Sequence, residues 1–208
     1  MARYTGAVCR QCRRAGEKLF LKGERCYTPK CAVEKRRKAP GDQTPRRRRA
    51  SDWGIQLREK QKARQTYGVL ERQFRNYFAD ARKVQGATGV NLMQLLERRL
   101  DNVVYRVGFG DSRAQARQWV SHGHFAVNGR KVSIPSYRVR AGEVITWRGP
   151  SKEKPFAQDA SRTAGQRSVP AWIELDKNTL TATVLRNPEA EDIDSKLETR
   201  MIVEFYSR

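Results

Sequence analysis

Cysteine is absent from the chain after position 31, histidine occurs twice, and acidic residues number 22 against 43 lysines and arginines in 208 residues. No run of ~18–20 apolar residues is present, which excludes a helix able to span a bilayer. No hydrophobic signal segment follows Met1, so the expected compartment is the cytoplasm and no membrane partner is expected. In that reducing setting the cysteines are not expected to pair as disulfides. Hydrophobic residues make up 38% of the chain, below the ~45–50% of ordinary globular domains, so the core is modest or divided among modules. A Gly-rich phosphate loop, a dinucleotide fingerprint and a nucleophile motif are all missing. No large domain is left over for a conventional active site. The chain is therefore expected not to be an enzyme and to have no small-molecule substrate.

What is there is positive charge, a net of +21 with a pI near 10.5. Like charges at this density oppose compaction unless a polyanion neutralises them, and nucleic acid does so with release of condensed counterions. The excess is uneven: +12 over residues 1–50, +10 over 51–150 and −1 over 151–208. The first three quarters thus carry the polyanion-binding surface, and the near-neutral remainder is expected to pack on protein.

All four cysteines fall in one small module, Cys9-x2-Cys12 and Cys26-x4-Cys31. Two close pairs facing one ion make a four-thiolate tetrahedral site with no open position, so a bound metal would be structural. One Zn2+ ion is the expected cofactor. An iron–sulfur cluster suits the same four ligands, and four free thiols are the plain alternative. The module's apolar content (Leu19, Phe20, Leu21) is too small to hold a fold without such a staple. Arg10, Arg13, Arg14, Lys18, Lys22 and Arg25 nearby would offset the site's negative charge and face phosphate.

Residues 1–50 read as this zinc-binding module followed by a basic linker ending in Arg46-Arg47-Arg48-Arg49. Residues 51–90 read as the first part of a helical domain, with Trp53, Leu57, Tyr67, Leu70, Phe74, Tyr77 and Phe78 near three-and-four spacing and Gly68 able to divide it. Asn91 is expected to cap the next helix with Gln94 in the capping-box position. Leu92, Leu95, Leu96, Leu100, Val103 and Val104 form its apolar face, and Gly108 and Gly110 end it. Ser112, with Gln115 three residues on, caps a second helix buried along Ala116, Trp119 and Val120. Phe125 and Val127, the Asn128-Gly129 turn, and the returning Val132 and Ile134 make a hairpin; Val144, Ile145 and Trp147 make another strand. Residues 91–148 thus form a helix–turn–helix–hairpin module, and the fold class is α+β. Residues 149–208 are a C-terminal part expected to pack back on the helical domain and on a protein neighbour. It opens with a loop over 149–170 that could hold a short helix, shows a strand pattern over 171–185, and ends with a strand at Met201–Tyr206.

In the second helix Arg113 and Arg117 lie one turn apart, a spacing suited to tracking a phosphate backbone next to a helix N-terminus. Arg130 and Lys131 of the hairpin add to this surface. His122 could stack on RNA or contact phosphate, and Asp101 is expected to make a structural hydrogen bond or ion pair. A solvated basic face is the plain alternative to the arginine pair.

Arg99-Leu100-Asp101, Ser112-Arg113-x2-Ala116-Arg117-x2-Val120-x-His122-Gly123 and Val127-Asn128-Gly129 resemble the small RNA-binding module named after ribosomal protein S-four. Met1-Ala2-Arg3-Tyr4 and the stretches at 57–64, 67–78, 99–110, 120–130, 134–139 and 202–208 extend the resemblance to the bacterial S-four family over nearly the whole chain. The cysteine pattern is similar to its zinc-carrying branch. The resemblance implies a fold with an N-terminal segment, a helical domain and the inserted S-four module. It implies a primary binder of the five-prime domain of small-subunit rRNA that nucleates assembly of the subunit body and contributes to translational accuracy. The implied partners are that rRNA, ribosomal protein S-five and other small-subunit proteins, and mRNA near Arg46, Arg47, Arg48 and Arg49. Together with the resemblance, the residues give an expected RNA-binding set of Arg3, Arg10, Arg13, Arg14, the four linker arginines, Ser112, Arg113, Arg117, His122, Asn128, Arg130 and Lys131. The linker departs from the family: Ala39-Pro40-Gly41-Asp42-Gln43-Thr44 stands where Pro-Pro-Gly-Gln-His-Gly is usual. The acidic group Glu189, Glu191, Asp192 and Asp194 is also unusual. An RNA-modifying enzyme or a free RNA-binding regulator could use the same module, and a thiol-based zinc or redox sensor is a third reading.

Overall fold

A computed structural model describes residues 3–36, 38–41, 51–163, 168–193 and 197–207. Two units result, residues 1–92 with 195–208, and residues 93–194. In the first, α1 (Cys9–Ala15), a 3-10 turn (Gly23–Cys26) and α2 (Ala32–Lys35) precede α3 (Asp52–Thr66), α4 (Glu71–Lys83) and the start of α5 (Thr88–Glu97). The second contains α6 (Leu100–Arg106), α7 (Arg113–Ser121), β1 (Phe125–Val127), β2 (Arg130–Lys131), β3 (Val144–Trp147), α8 (Gly149–Lys152), α9 (Pro155–Thr163), β4 (Ile173–Asp176) and β5 (Thr181–Val184). The last helix, α10 (Thr199–Tyr206), belongs to the first unit.

The break between α3 and α4 falls where expected, at Gly68, whose φ of 63° suits a residue without a Cβ. Ser51 opens α3, its hydroxyl accepting from the Gly54 N–H at 3.2 Å. Phe74, Tyr77, Phe78 and Ala81 of α4 are buried, whereas Trp53 is exposed, contrary to the apolar stripe read from the sequence. The face that α3 buries is polar: Gln56 Nε2 donates to Glu204 at 3.0 Å, and Lys60 bonds Glu71 at 2.9 Å beneath the Phe205 ring.

Residues 201–206, expected as a strand, form α10 instead. The β-branched run Ile202-Val203 favours extended structure locally, but a helix puts Ile202 and Tyr206 four residues apart on one side. Ile202 is fully buried, and the Tyr206 ring meets Phe74 and Phe78 at 6.2 and 4.6 Å. The Tyr206 hydroxyl donates to Glu71 at 2.8 Å. Burial and that bond push its pKa well up. Burial alone would raise the Glu71 carboxyl, but its bonds to Lys60 and Tyr206 hold it below the usual value.

Asn91 is not an N-cap. It lies inside α5, and its amide Nδ2 donates to the carbonyls of Ala81, Val84 and Gln85 at 3.3, 3.0 and 3.4 Å. It therefore serves the unpaired carbonyls at the end of α4. The long helix expected from Leu92 to Val104 is broken at Arg98 and Arg99.

In the second unit the sheet runs β2-β1-β3-β5-β4, every pair antiparallel. Asn128 and Gly129, with φ of 49° and 76°, adopt the left-handed pair that a type I′ turn demands. The returning strand stops at Lys131; Ile134 is exposed. The chain leaves the sheet because Tyr137 and Pro135 carbonyls accept the Leu100 and Asp101 N–H groups at 2.8 and 3.2 Å, satisfying the first turn of α6. Leu100, Val104, Phe109, Ala116, Val120, Phe125, Ile145, Trp147, Trp172 and Val184 form one core cluster. Gly110 permits it: a Cβ there would lie 3.2 Å from the Ala116 Cβ. The C-terminal part is divided. β4 and β5 extend the sheet of β1 to β3, α8 and α9 occupy much of the expected loop, and residues 197–207 belong to the first unit.

Candidate nucleic-acid interface

The start of α6 carries a buried ionic cluster. Asp101, 3% exposed, accepts from Arg99 Nε and a terminal guanidinium nitrogen at 3.0 and 2.7 Å, and from Arg117 at 3.4 Å. Beside it, buried Glu97 accepts from Asn102 at 2.7 Å and from Arg106 at 3.0 and 2.7 Å. Asn102 Oδ1 in turn accepts from Arg113 Nε at 2.7 Å, and the Arg113 guanidinium lies 4.5 Å from the Tyr105 ring centre. The expected structural role of Asp101 is met. Arg113 and Arg117 share the face of α7 that packs on α6, where Asp101 and Asn102 stand; Arg113 is half-buried there, and the expectation is corrected for Arg117. Arg117 is buried, so it does not present a guanidinium for tracking phosphate.

Ser112 caps α7 as expected, accepting from the Gln115 N–H at 3.3 Å. Gln115 Oε1 reaches back to the Asp111 N–H at 2.7 Å, one residue before the usual capping-box donor. Asn128 spends its side-chain carbonyl on the Val144 N–H at 2.8 Å, which fastens the hairpin turn to β3. Arg130 and Lys131 are both exposed on the edge strand β2. His122 is exposed; His124 Nδ1 lies 3.0 Å from Ser151 Oγ. Burial, then Lys154, His122 and Arg148, hold the His124 imidazole below its usual pKa and hence neutral at pH 7.

In the first unit Arg3 and Arg10 are exposed. Arg13 Nε donates to the Lys38 carbonyl at 3.0 Å and Arg14 to the Pro40 carbonyl at 3.2 Å, so both tie α1 to the start of the linker. Arg46, Arg47, Arg48 and Arg49 lie outside the described residues. The four cysteines are free of disulfides and line one small cavity with Val8, Leu21 and Val33. Burial pushes the Cys12 and Cys26 thiols up, partly offset by the Leu19 and Lys22 N–H groups that donate to them, the latter at 3.3 Å. Among the described residues no group of three or more His, Cys, Asp or Glu side chains is arranged to hold a metal ion, so the four-cysteine site expected from spacing is present as a shared cavity lining and not as a closed ligand cluster. No helix among the described residues is long and apolar enough to cross a membrane.

Comparison with known proteins accounts for both units. Residues 3–97 match the family described as the ribosomal protein S4/S9 N-terminal domain, and residues 98–145 match the S4 domain. Small ribosomal subunit protein uS4 of Heliobacterium modesticaldum is 57% identical over the full length of both chains. Its namesakes from Gloeobacter violaceus and Thermodesulfovibrio yellowstonii are 57% and 52% identical over the same extent. The chain belongs to the uS4 family.

The S4-domain match begins at Arg98, at the break before α6, and ends within β3, so two of the five strands of the sheet lie beyond it. At that first position is a group of cations that the sequence reading missed. Arg98 Nε donates to the Val139 carbonyl and its own carbonyl accepts from the Val139 N–H, both at 2.8 Å, while Arg99 and Arg138 form an antiparallel bridge. Arg98, Arg138 and Arg140 are thereby brought together. Burial first, then these two neighbours, lower the Arg98 pKa. Alternation of Arg138 and Arg140 was visible in sequence; their pairing with a residue forty positions earlier was not. The acidic group late in the chain is partly neutralised within it, with Arg186 bonding Asp192 at 2.6 Å.

Proposed function

We propose that the chain is a structural constituent of the small ribosomal subunit that binds its rRNA. Full-length similarity to proteins bearing the small-subunit name carries this reading. The net charge of +21 and the exposed Arg130 and Lys131 support it, since phosphate neutralisation by such side chains supplies most RNA affinity. Recognition is of RNA shape: cations meet phosphates gathered at a junction, and helix termini and polar side chains fix register. In finer terms, the protein binds the five-prime domain, nucleates the subunit body, meets protein S-five and, through the linker arginines, approaches mRNA, working in the cytoplasm without catalysis. Zinc held by Cys9, Cys12, Cys26 and Cys31 belongs to the proposal; shared lining of one cavity and N–H donors on two sulfurs support it, and the ion would cross-link the module without reacting.

Co-sedimentation with ribosomal subunits from the source cells through a high-salt wash tests this function. Stoichiometric retention on the small subunit is the expected result. Recovery only in the free fraction would turn the reading toward an RNA-binding regulator or modifying factor. A finer prediction concerns β2: replacing Arg130 and Lys131 together by Ala should weaken binding to an rRNA transcript. It should also flatten the slope of log affinity against log salt by about 1–2, as two phosphate contacts are lost. An unaltered slope removes these residues from the phosphate-contacting set.

A further inference from the structure

The cysteine module exposes two aromatic rings. Phe20 and Tyr27 are 37% and 63% exposed and stack on each other with centroids 5.1 Å apart and planes at 29°. Phe20 has φ of 51°, a left-handed conformation that is rare for a bulky side chain. Its neighbours turn inward, Leu19 being buried and Leu21 lining the cysteine cavity. A chain needing only to pass Leu19 and Leu21 into the interior would be served better by glycine at position 20. Instead the strained position carries a ring directed at Tyr27. The frame around the pair is held: Tyr27 N–H donates to the Glu24 carbonyl at 2.9 Å, Lys22 N–H to Cys26 Sγ at 3.3 Å, and Arg25 Nε to the Lys30 carbonyl at 3.4 Å. Between the rings and just beyond them the chain presents exposed Lys22, Arg25 and Lys30 against a single carboxylate, Glu24.

We infer that the Phe20–Tyr27 stack is a platform for an unpaired nucleobase of RNA, with Lys22, Arg25 and Lys30 receiving the adjoining phosphates. Aromatic faces stack on bases regardless of sequence, and cations beside them track the backbone; the single-stranded or bulged positions of a folded RNA are where bases are free to be taken up. The cationic rim favours this occupant over an apolar protein surface. The inference rests on the rRNA-binding reading above.

The test uses the full chain and a small-subunit rRNA transcript. Phe20→Gly relieves the left-handed backbone, so its thermal midpoint should equal or exceed that of the parent. Its affinity should nevertheless fall roughly tenfold, the loss of one base stack. The salt slope should stay unchanged, because no phosphate contact is removed. Tyr27→Ala, at a position more exposed and free of strain, should behave alike, while Tyr27→Phe should retain binding. Affinities of both Phe20→Gly and Tyr27→Ala equal to the parent's would overturn the platform, as would photo-crosslinks from these positions to protein instead of nucleotide in assembled subunits. If the parent itself failed to bind the transcript, the rRNA-binding reading would fall first, and the platform with it.

Discussion

Replacing Asp101 by Ala should destabilise the second unit by about 3–5 kcal/mol, the range for breaking a buried ion pair by removing one partner. The carboxylate is the acceptor shared by Arg99, which is fully buried, and Arg117. Without it two guanidiniums remain near one another beneath the surface, deprived of the carboxylate they share. That amount is a large share of the ~5–15 kcal/mol that ordinarily holds a domain together. Urea unfolding followed by tryptophan fluorescence reads it directly, since Trp147 and Trp172 lie in the adjoining core. Arg99→Met combined with Asp101→Leu should recover part of the loss, because apolar side chains of similar size need no partner. A midpoint for Asp101→Ala within error of the parent would mean that water already satisfies the arginines. The same cluster predicts that Arg117→Ala acts first on stability, and only through it on RNA affinity.

These residues mark the boundary of what the sequence discloses. The signals around α7 and the hairpin are local and were legible. Ser112 accepts an N–H three residues on, and Asn128-Gly129 satisfies a turn by its own backbone preference. Spacing also said correctly that Arg113 and Arg117 share a face of α7. It could not say that α6 would supply Asp101 and Asn102 opposite them, because that partner is fixed by the packing of two helices. Asn91 fails for the same reason: its amide is claimed by α4, which precedes it, and not by the helix it was expected to open. Met201–Tyr206 carries the residues of a strand and is made a helix by aromatic partners more than a hundred positions earlier. The cationic group of Arg98, Arg138 and Arg140 depends on a non-local bridge. In each case the partner that decides the outcome lies outside the local pattern.

The cysteine module poses the converse problem, a set of partners with little else to hold them, and chelation should therefore unfold it. The described apolar residues here are few. Leu19 is buried, Phe20 and Tyr27 face outward, and α1 and α2 are only 7 and 4 residues long, too short to persist alone. Three of the four cysteines are buried around the common cavity. Structural zinc contributes on the order of 10–16 kcal/mol to folding in small zinc modules, far more than this core could replace. The protein as purified should carry one zinc ion per chain by mass spectrometry, with its thiols resistant to a soluble thiol reagent. A strong chelator should render all four reactive, and Cys12→Ser should lose the metal and expose the remaining three. The ion pair between Glu17 and Lys62 of α3, at 2.9 Å, is a single half-buried contact and far weaker than four metal–thiolate bonds, so it should not rescue the module. Absorption bands of an iron–sulfur cluster would replace zinc by the other metal centre that four thiolates suit. Thiols that react equally with and without chelator, in protein free of metal, would instead mean that the cavity is packed by neutral thiols and that the module folds without a metal.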